Sequence, residues 1–459
     1  MSDSSVTERR APAPASEKSI RKVAFAALAG TSIEWYDFFL YGTAAALVFP
    51  ALFFSSEMPA LVSLLASFST FAVGFVARPI GGIIFGHFGD KVGRKKTLVA
   101  ALLLMGAATT LIGCLPTYAQ VGPVATVLLI ALRFAQGLAI GGQWAGAALL
   151  VTESAPKDKR GFYGSFAQAG APVGTVLANL VFLIVTATLA PEAFMSWGWR
   201  IPFLASIALI AVALYVQLKL EETAAFRELQ ASRKRDEAGE RAAVVARSPV
   251  LEVLRSDWQR IFLAAGAFIA CQATYYILDA FLTAYGTNPD GLGLSRETML
   301  IAVLVGAIAM IPALLLAARW SDRHGRKGIY MTGAALLALW AFIIFPLMET
   351  RSILWICVAI AVGKVFIAMM YGPQAAFLSE LFGTRLRYSG ASLAYQLGAI
   401  AGGALAPLIA TAILAHYGSP FGVSVYIAVT CLIAFVATTY LPETHARAAP
   451  AALPETRHA

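Results

Sequence analysis

The sequence predicts an all-α polytopic membrane protein, with twelve transmembrane helices in two pseudo-symmetric bundles of six. Three observations lead there: a composition too apolar for a water-soluble domain, a dozen separable apolar runs, and basic residues gathered into alternate loops. Of the 459 residues, 59% are apolar and 13% are charged, and the mean hydropathy is +0.72. A soluble domain carries about 25% charged residues, so a soluble fold of this length would lack polar surface. Twelve helices of about 20 residues need about 240 residues, which this composition can supply. An outer-membrane barrel is excluded, because its strands alternate polar and apolar residues.

Apolar runs between charged or Pro/Gly breaks fall at 23–50, 59–87, 97–115, 122–151, 161–189 and 200–219, then at 260–285, 298–318, 328–347, 352–379, 388–416 and 420–441. The first is too long for a signal-peptide core and is read as a retained span. The domains follow: a cytoplasmic N-terminal tail (1–22), a six-helix bundle (23–219), a partly helical cytoplasmic linker (220–259), a second six-helix bundle (260–441) and a cytoplasmic C-terminal tail (442–459). Of the 35 Lys and Arg, 29 fall in the two tails and alternate loops, only Arg200, Arg296 and Arg351 lie on the other side, and Arg78, Arg133 and Lys364 lie inside spans. By the positive-inside rule both termini are cytoplasmic. The net charge of +9 is therefore topological, and no nucleic-acid partner is expected. Cys114, Cys271, Cys357 and Cys431 sit in apolar runs without metal spacing and read as core residues.

An internal repeat supports the two halves. Gly86-His87-Phe88-Gly89-Asp90-Lys91-Val92-Gly93-Arg94-Lys95-Lys96 after the second run corresponds to Ser321-Asp322-Arg323-His324-Gly325-Arg326-Lys327 after the eighth. The Glu153/Arg160 pair likewise corresponds to Glu380/Arg387. Gly93 and Gly325 permit a tight reversal, and Asp90 and Asp322 can meet Arg94 or Arg326 and a helix dipole. These loops either latch the halves together at the cytoplasmic side or only fix topology and turn geometry. Gly86, Asp90, Gly93, Arg94, Asp322, Gly325 and Arg326 are the candidate gate.

Charged groups at mid-membrane cost at least about 2.5–3.5 kcal/mol, so they read as functional. Asp37 lies about 22 Å along a helix from Lys22, and Glu34, Asp37 or Phe38, and Tyr41 share one helical face. Two carboxylates at this spacing resist ionising together, so one can hold a proton; Asp37 is the first choice and Glu34 the second. The rival reading is a static ion pair of Asp37 with Arg78 or Arg133. Arg78 lies about 18 Å from the cytoplasmic end of its helix and either binds a substrate carboxylate bidentately or balances Asp37. Asp279 and Lys364 either pair with each other or line the second half's side of the cavity. Tyr41, Gln136, Gln143, Gln272, Tyr275, Tyr276, Tyr371, Gln374, Tyr395 and Gln396 supply polar tips suited to a small polar metabolite with an apolar body. Gly137-x3-Gly141, Gly142-x3-Gly146, Gly170-x3-Gly174 and Gly398-x3-Gly402 read as close helix contacts, and Pro172 and Pro407 as bending points. No catalytic constellation, metal-ligand cluster or phosphate loop is visible, so an enzyme is not expected.

The Gly86 to Lys95 segment resembles the loop signature of the major facilitator superfamily. Glu34-Trp35-Tyr36-Asp37-Phe38, Phe75 to Gly82, Arg133-Phe134-Ala135-Gln136-Gly137, Ser196 to Phe203 and Pro442-Glu443-Thr444 narrow the resemblance to its metabolite:proton symporters. The resemblance spans about 20–445. It implies two six-helix bundles around a central cavity and uptake of a small organic acid with protons, driven by the proton gradient without a cofactor. It further implies a multi-pass protein of the cytoplasmic (inner) membrane, partnered by substrate, protons and lipid and acting as a monomer, with Arg133 linked to proton coupling. Symport of a zwitterionic osmolyte and efflux by antiport are the alternatives. Relatives typically carry a glutamate where this chain has Gln143, which cannot titrate.

The topology is checked by reporter fusions: alkaline phosphatase joined after Arg351 should be active outside the cytoplasmic membrane, and joined after Lys327 it should be inactive.

Overall fold

The computed structural model describes residues 17–92, 94–141, 143–220, 257–289, 291–383 and 387–445. It contains the twelve expected spans. In the first half they are α1 (Glu17–Leu47), α2 (Ala60–Val92), α3 (Arg94–Gly113), α4 (Pro123–Ile140, resuming as Gln143–Ser154), α5 (Arg160–Thr188) and α6 (Ile201–Leu220). In the second they are α7 (Trp258–Tyr276, continuing through a π turn at Ile277–Phe281 into Leu282–Thr287), α8 (Arg296–His324), α9 (Arg326–Glu349) and α10 (Ile353–Leu381). They are followed by α11 (Arg387–Gly398, a π turn at Ala399–Ala404, then Ala406–Tyr417) and α12 (Phe421–Tyr440). Among the described residues nine helices are long and apolar enough to cross a bilayer, and α3 and α6 contribute the shorter apolar stretches Val99–Gly113 and Gly198–Val212. The remaining span, α1, has 31 residues but is diluted by Thr31, Ser32, Glu34 and Asp37. It begins earlier than the expected 23–50 run, and a separate short helix, Phe49–Leu52, takes up that run's end. Most of the expected linker, 221–256, lies outside the described residues.

The repeat is visible in the packing. α1 runs along α5, α2 against α4 and α3 against α6. Six helices later α7 meets α11, α8 meets α10 and α9 meets α12. The halves join along two equivalent seams, α5 with α8 and α2 with α11, and α5 also meets α10.

Small residues set the closest crossings. A Cβ on Gly81 would fall on the Leu138 carbonyl, one on Gly141 on the Arg78 carbonyl, and one on Gly137 on the Gly74 carbonyl. α2 and α4 therefore touch backbone to backbone, as small-xxx-small crossings do in membranes, and Arg78 is held at the contact. Gly170 and Gly174 seat α5 on Thr31, Trp35 and Tyr36 of α1, and Gly398 and Gly402 seat α11 on α7. The expected Gly142-x3-Gly146 contact is not made by Gly146, which has open space where a Cβ would stand.

Overpacking a tight contact costs about 1–3 kcal/mol. Gly141→Ala should accordingly lower the melting temperature in detergent by several degrees, while Gly146→Ala should leave it unchanged or slightly raised.

Candidate functional site

Two narrow cavities lie along the seam, each of about 10 Å³, enough for one water molecule. The inner one is lined by Glu34, Trp35 and Phe38 of α1, Arg78 of α2, Ile140 of α4, and Tyr395 and Gln396 of α11. The outer one is lined by Phe39, Gly42 and Thr43 of α1, Phe71 of α2, Asn179 of α5, and Tyr276, Asp279 and Ala280 of α7. An aromatic layer divides them: Phe39 stacks on Tyr275 at 5.2 Å, and Phe38 and Phe39 meet Tyr276 at 5.8 and 5.9 Å. This conformation is closed at mid-membrane.

Two buried arginines sit on either side of one ring. The guanidinium carbons of Arg78 and Arg133 each lie 4.3 Å from the centroid of Phe38. Arg78 also faces Phe75 at 4.5 Å and Trp35 at 5.6 Å, while Arg133 faces Tyr41 at 4.2 Å and Phe71 at 4.8 Å. Their polar surroundings differ. Arg133 donates from Nη1 to Gln136 at 3.1 Å and from Nε to the Phe71 carbonyl at 3.5 Å. Gln136 in turn donates to Thr109 at 2.7 Å. Nε and Nη2 of Arg78 are buried without a hydrogen-bond partner. Arg78 lies on the wall of the inner cavity, and Arg133 lines neither cavity.

The α1 carboxylates diverge. Glu34 lines the inner cavity within the electrostatic reach of Arg78. Asp37 is buried against other helices, beside Thr109 of α3 and Ser206 of α6, and neither oxygen has a hydrogen-bond partner among the described residues. It forms no ion pair with Arg78 or Arg133, so the static-pair arrangement is not the one present.

In the second half Lys364 and Asp279 form an ion pair at 2.6 Å. Asp279 lies in the π turn of α7, and Lys364 Nζ stands 3.4 Å over the Tyr275 ring. The Tyr275 hydroxyl meets Thr175 of α5 at 2.9 Å, bridging the halves. Gln168 of α5 bridges them again, donating to the Tyr371 carbonyl at 3.3 Å and to Gln374 at 3.0 Å. Gln396 donates to the Gly141 carbonyl at 3.1 Å. Of the expected polar lining, Gln396 and Tyr395 thus reach the inner cavity and Asp279 the outer. Tyr41 (hydroxyl to Thr70, 2.7 Å) and Gln136 instead brace Arg133. Tyr371 packs in the seam 6.4 Å from Tyr275. The side chain of Gln143 lies outside the described residues.

At the end bearing the repeated loops, Asp322 closes α8 onto α5. Its Oδ1 accepts from Gly161 N at 2.8 Å and its Oδ2 from Phe162 N at 2.7 Å, at the first turn of α5. Arg326 donates to the same Oδ1 at 2.6 Å and reaches Glu380 with two bonds of 3.3 Å. The carboxylate satisfies orphan amides and meets the positive end of the α5 dipole. Arg387 pairs with Glu153 across the halves at 3.6 Å. Gly325 has φ +98°, and Glu443 accepts from the amides of Arg326 and Lys327 at 2.9 and 3.1 Å, holding the start of α9. Gly93 and the side chains of Gly86, Asp90 and Arg94 fall outside the described residues. Sequence reasoning missed Thr109, Ser206, Thr175, Gly161 and the capping role of Glu443. Only Glu443 carried a signal, within the Pro442-Glu443-Thr444 motif.

Residues 22–449 match the family described as "Sugar (and other) transporter". The chain is 42% identical over 418 residues to the shikimate transporter of Escherichia coli (strain K12), covering 90% of this chain and 92% of that protein. It is 31% identical to the glycine betaine/proline/ectoine/pipecolic acid transporter OusA of Dickeya dadantii (strain 3937), covering 93% and 84%. The crystal structure of a D-xylose-proton symporter superposes with a TM-score of 0.71 at 18% identity over 93% of this chain and 98% of that one, a likeness of fold.

Charge-assisted hydrogen bonds such as those of Asp322 contribute about 1.5–3 kcal/mol each. Asp322→Asn should free that end of the seam, and a cysteine at position 140 in a cysteine-free background should then alkylate several-fold faster in the purified protein.

Proposed function

The chain belongs to the sugar (and other) transporter family of the major facilitator superfamily, multi-pass membrane transporters of small molecules, and from that premise we propose that it is a proton-coupled importer of a small organic acid. The observation that carries the reading is Arg78: a permanent charge on the wall of the cavity between the bundles, with two guanidinium nitrogens unmatched. Burying an ion costs several kcal/mol even after relaxation, and a substrate carboxylate is the partner that recovers it through a planar two-bond fork. The 42% identity to a shikimate transporter supports an organic acid. A zwitterionic osmolyte is the second reading, favoured by the opposite charges of Glu34 and Arg78 on one wall beside Trp35.

The coupling proton is assigned to the α1 carboxylates. Asp37, buried with no cation against it and only the hydroxyls of Thr109 and Ser206 beside it, is held most cheaply with its proton on. Glu34 faces the substrate space. Arg133 acts from behind, stiffening Phe38 and the α2 wall, while Asp279 and Lys364 form a neutral pair at the outer cavity. The protein is assigned to the cytoplasmic membrane with both termini inside. The Asp322–Arg326–Glu380 group then latches the cytoplasmic side of bundles 23–219 and 260–441, which rock about the seam.

Cells expressing the protein should accumulate labelled shikimate but not labelled glycine betaine, and a protonophore should abolish accumulation; uptake indifferent to the protonophore contradicts symport. Glu34→Gln should lose accumulation against a gradient and keep exchange, whereas Asp37→Asn, which fixes the neutral form, should keep accumulation. Arg78→Lys should insert normally but bind shikimate with a loss of about 1.5–3 kcal/mol, roughly tenfold or more in affinity, measured by titrating purified protein.

A further inference from the structure

We propose that the inner cavity takes one carboxylate at a time, and that this carboxylate replaces Glu34 as the counter-charge of Arg78 while Glu34 takes up the coupling proton. The proposal rests on the organic-acid reading above and names its substrate class, a monocarboxylate whose remaining polar groups are neutral.

The argument is a count of reachable charges. Among the described residues, Arg326 is buried at the start of α9 with Asp322 and Glu380 on it, and three cationic side chains are buried deeper in the spans, Arg78, Arg133 and Lys364. Lys364 is already neutralised by Asp279 at 2.6 Å and lies beyond the aromatic layer from the inner cavity. Arg133 is walled off by the faces of Phe38, Tyr41 and Phe71 and held by Gln136. Arg78 alone of the three lines the inner cavity, and Glu34 is the one acid among that cavity's lining residues. With Glu34 ionised the wall is neutral. A substrate carboxylate entering the Arg78 fork would leave two anions on one guanidinium in a space that holds a single water. A proton from the medium on a Glu34 carboxylate oxygen restores neutrality, and no bond of the substrate changes. One proton then travels with each monoanion. A dianion would need a second cation, and among the described residues none lines the cavity.

Among the described residues, the surroundings of Glu34 leave no competing group. From α2 it faces Arg78 and from α11 Tyr395. On α1 itself Asp37 is turned toward α3 and α6, where it meets the hydroxyls of Thr109 and Ser206. α5, packed along α1, has no charged residue between Arg160 and its end at Thr188, and its one tyrosine, Tyr163, packs against Val151 and Ile20. The continuation of α4 has Glu153 at its far end, where it meets Arg387. Gln396, whose Oε1 is buried without a partner, stands ready for a substrate hydroxyl.

The test uses the purified full-length chain with shikimate as the monocarboxylate probe, citrate as the tricarboxylate and glycine betaine as the zwitterion. Binding and proton uptake are read together by calorimetry in buffers of different ionisation enthalpy between pH 6 and 9. The expected result is uptake approaching one proton per bound shikimate at the alkaline end, with affinity falling about tenfold per pH unit there. Citrate should bind at least tenfold more weakly. Glu34→Gln should bind shikimate with no proton uptake and no pH dependence. Shikimate binding without proton uptake at any pH overturns the exchange, as does wild-type uptake in Glu34→Gln, and citrate binding tighter than shikimate overturns the single-carboxylate site. If Glu34→Gln does not fold, the wild-type proton count and the citrate comparison decide alone. Binding of glycine betaine alone, or of none of the three, overturns the organic-acid reading itself and this inference with it, an outcome distinct from shikimate binding without a proton.

Discussion

One phenylalanine ring separates two guanidinium groups in the middle of a bilayer-spanning bundle, and much of the first half is built to make that tolerable. A face-on cation–π contact contributes about 2 kcal/mol when desolvated, well short of the cost of stripping water from an ion. Phe38, with Trp35, Tyr41, Phe71 and Phe75 around it, therefore lowers the cost without removing it. For Arg133, Nη1 and Nε are met by Gln136 and the Phe71 carbonyl, while Nη2 stays unmatched. For Arg78 two nitrogens stay unmatched. Of the two, only Arg78 also lines a cavity, and the proposed ligand role rests on that. The tight α2–α4 crossing is what fixes both in place, because the backbone of Arg78 is itself one of the contact points.

The proposed ligand cavity and the proposed latch lie on the same seam. Asp322 belongs to the second half but caps a helix of the first, so these two amide contacts exist only while the halves are closed at that end. Thr175–Tyr275 and Gln168–Gln374 are further contacts across the seam. None of them is apolar surface buried from water, which in a bilayer gives no net drive for association. They are discrete polar contacts that can be exchanged for others, as a two-state carrier needs.

The spans, the duplication and the glycine crossings were legible in the sequence because they depend on composition and spacing along single helices. So was the placement of Glu34, Asp37, Arg78, Arg133, Asp279 and Lys364 inside spans, since charge in a membrane span is conspicuous wherever it points. Their partners were not legible. Asp37 and Glu34 are three residues apart and were read as one face, yet a modest rotation of α1 sends one to α3 and α6 and the other to the seam. The ring shared by two arginines depends on the relative height of α1, α2 and α4, which no local pattern encodes. Tyr41 and Gln136 carry the polar tips expected of a lining but spend them on Thr70 and Arg133. The cap by Asp322 joins residues 160 positions apart in the chain.

The most direct test of the central claim is an experimental structure of the protein with shikimate bound. The account predicts the substrate carboxylate within about 3 Å of the Arg78 guanidinium, with the cavity beside Phe38 and Gln396 opened around it and the Lys364–Asp279 pair intact. A carboxylate seated on Lys364 with Asp279 displaced, and Nε and Nη2 of Arg78 still unmatched, would contradict it.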